Sequence, residues 1–244
     1  MIDSSLSARI DDAIRLSRRA PHFVGFLDPA ERLDVESYLV SKKAEYLIFG
    51  GYPDAERCFI GFFPDYLDPS EDLFPLTAIT IKFDKRFELS HRDFLGSFMA
   101  QGITRASIGD ILIETGRAVV FVREELASYF LDNIFKIGKV GVSLSVGIEG
   151  DIPASHHFEE KSVVVASERL DCIVSALCGL SREKSAQAIR GGYVQLNYRE
   201  CQSVSETVSE GSTISVRGKG KFIVDNASVR TKKGRLVLAV RKYK

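Results

Sequence analysis

Seven cations gather in the last third of the chain. Arg169, Arg182, Lys184 and Arg190 come first, and Arg217, Lys219 and Lys221 follow in the run Arg217-Gly218-Lys219-Gly220-Lys221. Their shared chemistry is anion binding. A guanidinium donates paired hydrogen bonds to a phosphate, and an ammonium acts as a point charge. The elements that must position them are readable from the spacing. Leu170, Ile173, Val174, Leu177 and Cys178 recur at helical intervals, and Gly179 stops that helix. Ser181 is placed to cap a second helix, Arg182 to Arg190, which ends at Gly191-Gly192. With the apolar sides turned inward, the cations remain on the solvent side. Tyr193 to Leu196 and Thr213 to Val216 read as short strands, and 217–221 as a basic glycine-rich turn. On spacing alone, a solvated face explains such a helix as well as a ligand does.

The distribution of charge separates these readings. The whole chain has 33 Lys/Arg and 33 Asp/Glu. From Ser167 onward there are 15 basic and 7 acidic residues, about +8, which leaves 18 basic and 26 acidic residues, about −8, in Met1 to Ala166. A compact basic end of this size is the electrostatic footprint of a polyanion. An acidic membrane fits less well, because no amphipathic helix with exposed aromatics accompanies the charge.

Other chemistries find little support. Cys58, Cys172, Cys178 and Cys201 lack metal-ligand spacing and read as reduced core thiols. His156-His157 invites a metal or acid–base reading, but no third ligand stands beside the pair. His22 and His91 stand alone and read as structural. Gly50-Gly51 lacks the Lys-Ser/Thr and long following helix of a phosphate loop. No metal or other cofactor is expected.

At 244 residues the chain suits two or three domains. It has no apolar run of membrane-spanning length and no apolar signal core at its start, so the expected compartment is the cytoplasm. Leu6, Ile10, Ala13, Ile14 and Ser17 mark a first helix, ended by Pro21. Phe23 to Leu27 is short and apolar. Asp28-Pro29 opens a second helix with a cap and a proline at its first position. Tyr46 to Phe63 reads as two strands around a Gly/Pro/Asp turn, and 65–75 as loop. From Leu76 to Val146 the order is β-α-β-β-α-β: strand 76–83, helix 91–100 after Ser90, strands 110–114 and 117–122 joined at Thr115-Gly116, helix 124–135 and strand 140–146. This is the order of a ferredoxin-like plait, a topology shared by many RNA-recognition modules. The aromatic stacking motif of those modules is missing, and Phe121 reads as core. Lys82, Lys85, Arg86, Arg92 and Arg105 form at most a second, scattered basic patch. Residues 149–162 read as a connector and 163–166 as a short strand. The expected class is α+β: a mixed α/β subdomain at 1–75, the plait at 76–150, and a small α+β domain at 167–244.

The C-terminal residues Arg169-Leu170-Asp171, Leu180-Ser181-Arg182, Ala186, Ile189, Gly191, Val194, Asn197, Val208, Gly211, Ile214 and Val216-Arg217-Gly218 resemble the RNA-binding domain first seen in ribosomal small-subunit protein S-four. The resemblance covers roughly 167–235. It implies one basic surface, made by the two helices and the later turn and laid on structured RNA. Carried over, it implicates Arg169, Ser181, Arg182, Lys184, Arg190, Arg217, Lys219 and Lys221 in RNA binding, with Asp171 as the intramolecular partner of a nearby arginine. Over most of its length the chain also resembles the YlmH-like group of bacterial proteins. Phe26 to Glu31, Gly50 to Arg57 and Ile108 to Leu112 carry that similarity.

These resemblances imply a non-catalytic factor acting on rRNA or tRNA at the large ribosomal subunit, in a stalled-ribosome or other ribosome-linked role. Domains of the S-four type are also appended to RNA-modifying enzymes and tyrosyl-tRNA synthetases. The nucleotide-binding signatures of a synthetase and the methyl-donor loop of a methyltransferase are missing here. Arg169-Leu170-Asp171 matches the letters of a pseudouridine-synthase motif but sits on a helix of the basic domain. The expectation is therefore no enzymatic activity. The alternatives are an accessory to an RNA-modifying enzyme, or a protein-interaction factor in cell division that binds through the acidic N-terminal part.

Overall fold

The structure, a computed structural model, describes residues 2–155, 158–231 and 234–243. It is an α+β chain that divides into two compact units, 1–155 and 156–244. His156-His157 lies outside the described residues.

The first unit begins with α1 (Ser4–Ser17), whose open N–H groups at Ser5 and Leu6 donate to the Asp3 carboxylate. It continues with β1 (His22–Leu27), α2 (Pro29–Lys42), β2 (Leu47–Phe49) and β3 (Cys58–Phe62). At the start of α2, Asp28 and Glu31 accept from each other's backbone N–H at 2.8 Å, a reciprocal capping box with proline at the first helical position. The strands form an antiparallel sheet in the order β1-β3-β2. Ile10, Val24, Leu27, Val35, Leu39 and Phe62 fill the core between this sheet and the helices.

The plait follows: β4 (Leu76–Lys82), α3 (His91–Met99), β5 (Ile108–Glu114), β6 (Arg117–Arg123), α4 (Ala127–Asn133), a small hairpin of β7 (Lys136–Ile137) and β8 (Val140–Gly141), and β9 (Ser143–Val146). Its sheet order, β5-β6-β4-β9, is antiparallel throughout and is that of a ferredoxin-like plait. Two of the expected elements are broken. A 3₁₀ turn at Glu124–Leu126 precedes α4, and the strand expected at 140–146 divides at Val142, its first part pairing with β7.

Alternation along β6 gives the plait sheet two apolar faces. Ala118, Val120 and Val122 turn toward α3 and α4 and meet Phe94, Phe98 and Phe130. Val119 and Phe121 turn the other way and meet Phe26, Tyr52, Phe59 and Phe74 from the preceding 75 residues. Phe121 is 1% exposed and stacks on Tyr52, with centroids 5.2 Å apart and planes at 22°. Gly51 lets this stack form: a Cβ there would run into the Phe121 ring, and its φ of +99° disfavours any side chain.

The second unit contains β10 (Phe158–Val165), α5 (Leu170–Cys178), α6 (Arg182–Arg190), β11 (Val194–Leu196), β12 (Arg199–Glu200), β13 (Thr213–Val216), β14 (Gly220–Arg230) and β15 (Leu236–Tyr243). These strands are antiparallel in the order β10-β15-β14-β13-β11-β12. Leu170, Ile173, Val174 and Ile189 of the helices pack on Val194, Ile214, Val216, Phe222, Leu238 and Val240 on one sheet face. Gly179 ends α5 in the left-handed region (φ +63°), and the Ser181 hydroxyl caps α6 through the Lys184 N–H at 3.2 Å. The expected connector at 149–162 is shorter than its sequence suggests. Phe158 to Ser162 already belongs to β10, which pairs with β15 along its whole length. The segment is too polar to show strand periodicity, but its partners explain the pairing: Glu159 lies opposite Lys242, and Glu160 opposite Arg241.

Candidate nucleic-acid interface

Asp171 organises the helical side of the second unit. It lies in the first turn of α5, where an acid is favoured by the helix dipole, and its side chain is 6% exposed. Arg169 Nε and Nη2 donate to its two oxygens at 3.1 and 3.3 Å, and Arg182 Nε donates at 3.0 Å. Burial by itself would raise the pKa of this carboxyl. The hydrogen bonds and charges of the two arginines outweigh it and lower the pKa to about 2. The arginine side chains remain 40% and 62% exposed. Each keeps guanidinium N–H groups outside these three bonds, so the pair is held in place and still able to donate. Ser181 and Lys184 occupy the start of α6 beside Arg182, and Arg190 is exposed at its end.

The turn residues do not all share this side. Phe222 points toward the helices, so alternation along β14 sends Lys221 to the opposite sheet face, while Arg217 stands in the turn after β13 and donates its backbone N–H to the Tyr193 carbonyl. Arg217 lies 5.9 Å from the centroid of Tyr193, and the Lys221 ammonium lies 4.7 Å from Tyr198 and 4.3 Å from Tyr243. Lys219 lies in the turn between β13 and β14. Together with Lys242 it favours the thiolate of Cys178 at the end of α5, although burial keeps that thiol's pKa raised. The eight residues named from the sequence thus do not share one side of the sheet. Arg169, Ser181, Arg182, Lys184 and Arg190 belong to the helices, Lys221 faces away from them, and Arg217 and Lys219 stand in the turn between β13 and β14. The three tyrosines were not foreseen. The strand period carries a signal for Tyr243, which it places on the face of Lys221, whereas Tyr193 and Tyr198 lie outside the strands.

Residues 69–148 match a family model described as "Putative RNA-binding domain in YlmH", and residues 168–214 match the S4 domain. The chain is 31% identical over 211 residues to the ribosome-associated protein quality control protein P2 of Bacillus subtilis, covering 85% of this chain and 82% of that protein. The chain belongs to the YlmH-like family. A solved structure titled cell division protein ylmH, from Streptococcus pneumoniae, superposes with a TM-score of 0.50 at 24% identity, over 61% of this chain and 94% of the other, and supports the fold.

The three sequence runs that carry the YlmH-like resemblance meet at one junction in the first unit. Asp110 accepts from the Tyr52 hydroxyl at 2.8 Å and from the backbone N–H of Glu56 and Arg57 at 2.7 and 3.1 Å. Arg57 in turn donates to the carbonyls of Ile108 and Phe26 at 3.0 and 3.1 Å. Burial and the Asp110 charge raise the Tyr52 pKa, so the hydroxyl stays a donor. In this YlmH-like protein the runs therefore build the wall behind the plait sheet. Within the scattered basic patch on this unit, Lys82 pairs with Glu149 and Arg86 with Asp84, and Arg105 donates to the Ile108 and Gly109 carbonyls. Burial and neighbouring Arg57 lower the Arg105 pKa to about 10. Among the described residues no group of three or more His, Cys, Asp or Glu is arranged to hold a metal, and no helix is long and apolar enough to cross a membrane.

Proposed function

We propose that this YlmH-like protein is a non-catalytic RNA-binding factor that acts on structured rRNA or tRNA at the large ribosomal subunit, in the handling of stalled ribosomes. The observation that carries the reading is the Asp171-held pair of Arg169 and Arg182 at the start of the two S4 helices. Two guanidinium groups fixed beside a helix N-cap suit phosphates of a folded RNA backbone, whose deep major groove excludes side chains. Ser181, Lys184 and Arg190 extend the contact along α6, Arg217 and Lys219 add to it from the turn, and Lys221 reaches RNA from the other face. The similarity to a ribosome-associated quality control protein supports the ribosomal setting, and a factor of this kind works in the cytoplasm.

Sedimentation of the protein with ribosomes through sucrose at low and high salt, followed by crosslinking, tests the proposal. The expected result is salt-sensitive co-migration with the large subunit and RNA crosslinks at Arg182 and its neighbours. An Arg182→Ala/Lys184→Ala variant should lose most of that binding. Full retention by the double variant would overturn the assignment of the surface.

A further inference from the structure

The sheet face turned away from α5 and α6 carries a second pattern of chemistry. In β15, Leu238 and Val240 turn to the helical core, which puts Arg241 and Tyr243 on the other face. Lys221 of β14 is opposite Ser215, and its ammonium sits over the rings of Tyr198 and Tyr243. Arg217 is beside Tyr193, the most exposed of these rings at 52%. Tyr243 meets the edge of Phe158, with centroids 4.9 Å apart. Aromatic rings and a cation thus alternate along Phe158, Tyr243, Lys221 and Tyr198, on a face that no described helix of this unit covers, and the Arg217–Tyr193 pair stands at its border.

We infer that this outer face is a stacking platform for unpaired nucleotides of single-stranded RNA, separate from the helical surface that takes structured RNA. The chemistry matches the ligand in two respects. Aromatic rings on an open sheet stack bases of any identity, and cations set among them meet the phosphates between those bases. The cation–ring contacts also hold the tyrosines before the ligand arrives, which reduces the ordering cost of binding. The net charge of about +8 on this end of the chain complements a polyanion. Of the acidic groups of the face, Glu160 and Asp225 lie toward its other end, where Arg241 is paired with Asp225 at 2.6–2.9 Å, and Glu200 lies opposite Gln195 on the edge strand β12. The platform is therefore the Tyr198, Lys221 and Tyr243 part of the face. It rests on geometry independent of the Asp171 hub, so it can fail while the proposed function stands, and the reverse.

The experiment uses the full chain and two labelled probes, a stable RNA hairpin and an oligouridylate of about twelve nucleotides, a length within the usual range for one single-strand site. Tyr198→Ala/Tyr243→Ala should weaken oligouridylate binding by about tenfold or more, the loss expected when base-stacking rings are removed, and should leave hairpin binding within about twofold. Arg182→Ala/Lys184→Ala should do the opposite. Lys221→Ala serves as a milder second variant that retains the rings. A 5-bromouridine version of the oligomer should crosslink to Tyr198 or Tyr243 in the unsubstituted protein. Equal oligouridylate affinity in the tyrosine variant, no measurable binding of that probe by the parent protein, or crosslinks only to α5 and α6 would each overturn the platform.

Discussion

Replacing Asp171 by asparagine tests the sign of an effect as well as its size. The substitution removes one negative charge beside the proposed RNA surface. If Asp171 only neutralised its neighbours, the variant would bind RNA more tightly. The structure predicts the opposite, because Asp171 positions Arg169 and Arg182 through three hydrogen bonds of 3.0–3.3 Å. Releasing two long side chains costs about 0.5–1.5 kcal/mol each when RNA must order them again, so about 1–3 kcal/mol in total. The Coulomb gain at such an exposed site offsets on the order of 1 kcal/mol. The net penalty is about 0–2 kcal/mol with its midpoint near 1, so hairpin affinity should fall by about fivefold and by no more than about thirtyfold, measured by fluorescence anisotropy at about 0.1 M salt. The fold should lose about 1–2 kcal/mol, less than a fully buried pair because water reaches both arginines. The pH dependence gives an independent check. The folded-state pKa of Asp171, about 2, lies below its ordinary value of 3.8. Its stabilisation is then complete above the ordinary value and disappears as pH falls through about 2. The stability gap between the parent and the asparagine variant should be flat above about pH 5 and should close toward pH 2. An asparagine variant that binds RNA as tightly as the parent, or more tightly, would refute the positioning argument.

Three further outcomes follow from other parts of the molecule. Arg182→Ala/Lys184→Ala should lower the slope of log affinity against log salt by up to about two, about one for each phosphate no longer neutralised, whereas Asp171→Asn should leave that slope nearly unchanged; a salt titration of both variants distinguishes them. Phe121→Ala should destabilise the first unit by about 3–5 kcal/mol, since the ring is 1% exposed and stacked on Tyr52, and Gly51→Ala should also lower its melting temperature by driving a Cβ into that ring. Cys58 is buried, and burial raises its pKa to about 11, so iodoacetamide at pH 8 should label the half-buried Cys201 well before Cys58; mass spectrometry of peptides from briefly labelled native protein gives the order.

Local signals carried much of the fold. Asp28-Pro29 with Glu31 announced α2, Ser181 announced α6 and Gly179 ended α5, because caps and stops depend on neighbours within one turn. The order of strands and helices in the plait was readable for the same reason. The first half of β10 was not, since Glu159, Glu160 and Lys161 have no apolar alternation and become strand through a partner about eighty residues away. Asp171 was readable as an arginine partner, because Arg169 stands just before it at the helix start. That it would hold Arg182 as well required the packing of α5 against α6. That Lys221 falls in β14 and faces away from the helices, while Arg217 and Lys219 stay in the turn, depends on where the hairpin places its tip, which composition does not reveal.

The two large sheets of the chain show how residue choice on a second face decides what a domain can touch. Each covers one face with its own helices. On the plait the other face presents Leu112, Val119 and Phe121, apolar groups that water would penalise, and residues from the first 75 positions bury them. That face is occupied by internal packing, so a nucleobase cannot stack on Phe121 without displacing Tyr52, whose hydroxyl is bound to Asp110. On the C-terminal sheet the outward positions include Lys221 and Tyr243, with Tyr198 beside them. Their rings are apolar enough to attract a base, and their polar tips are stable beside water. A plait alone would suggest that RNA is recognised on the middle domain's sheet. In this chain that sheet face is filled by internal packing, and the stacking role proposed above falls to tyrosines of the C-terminal unit.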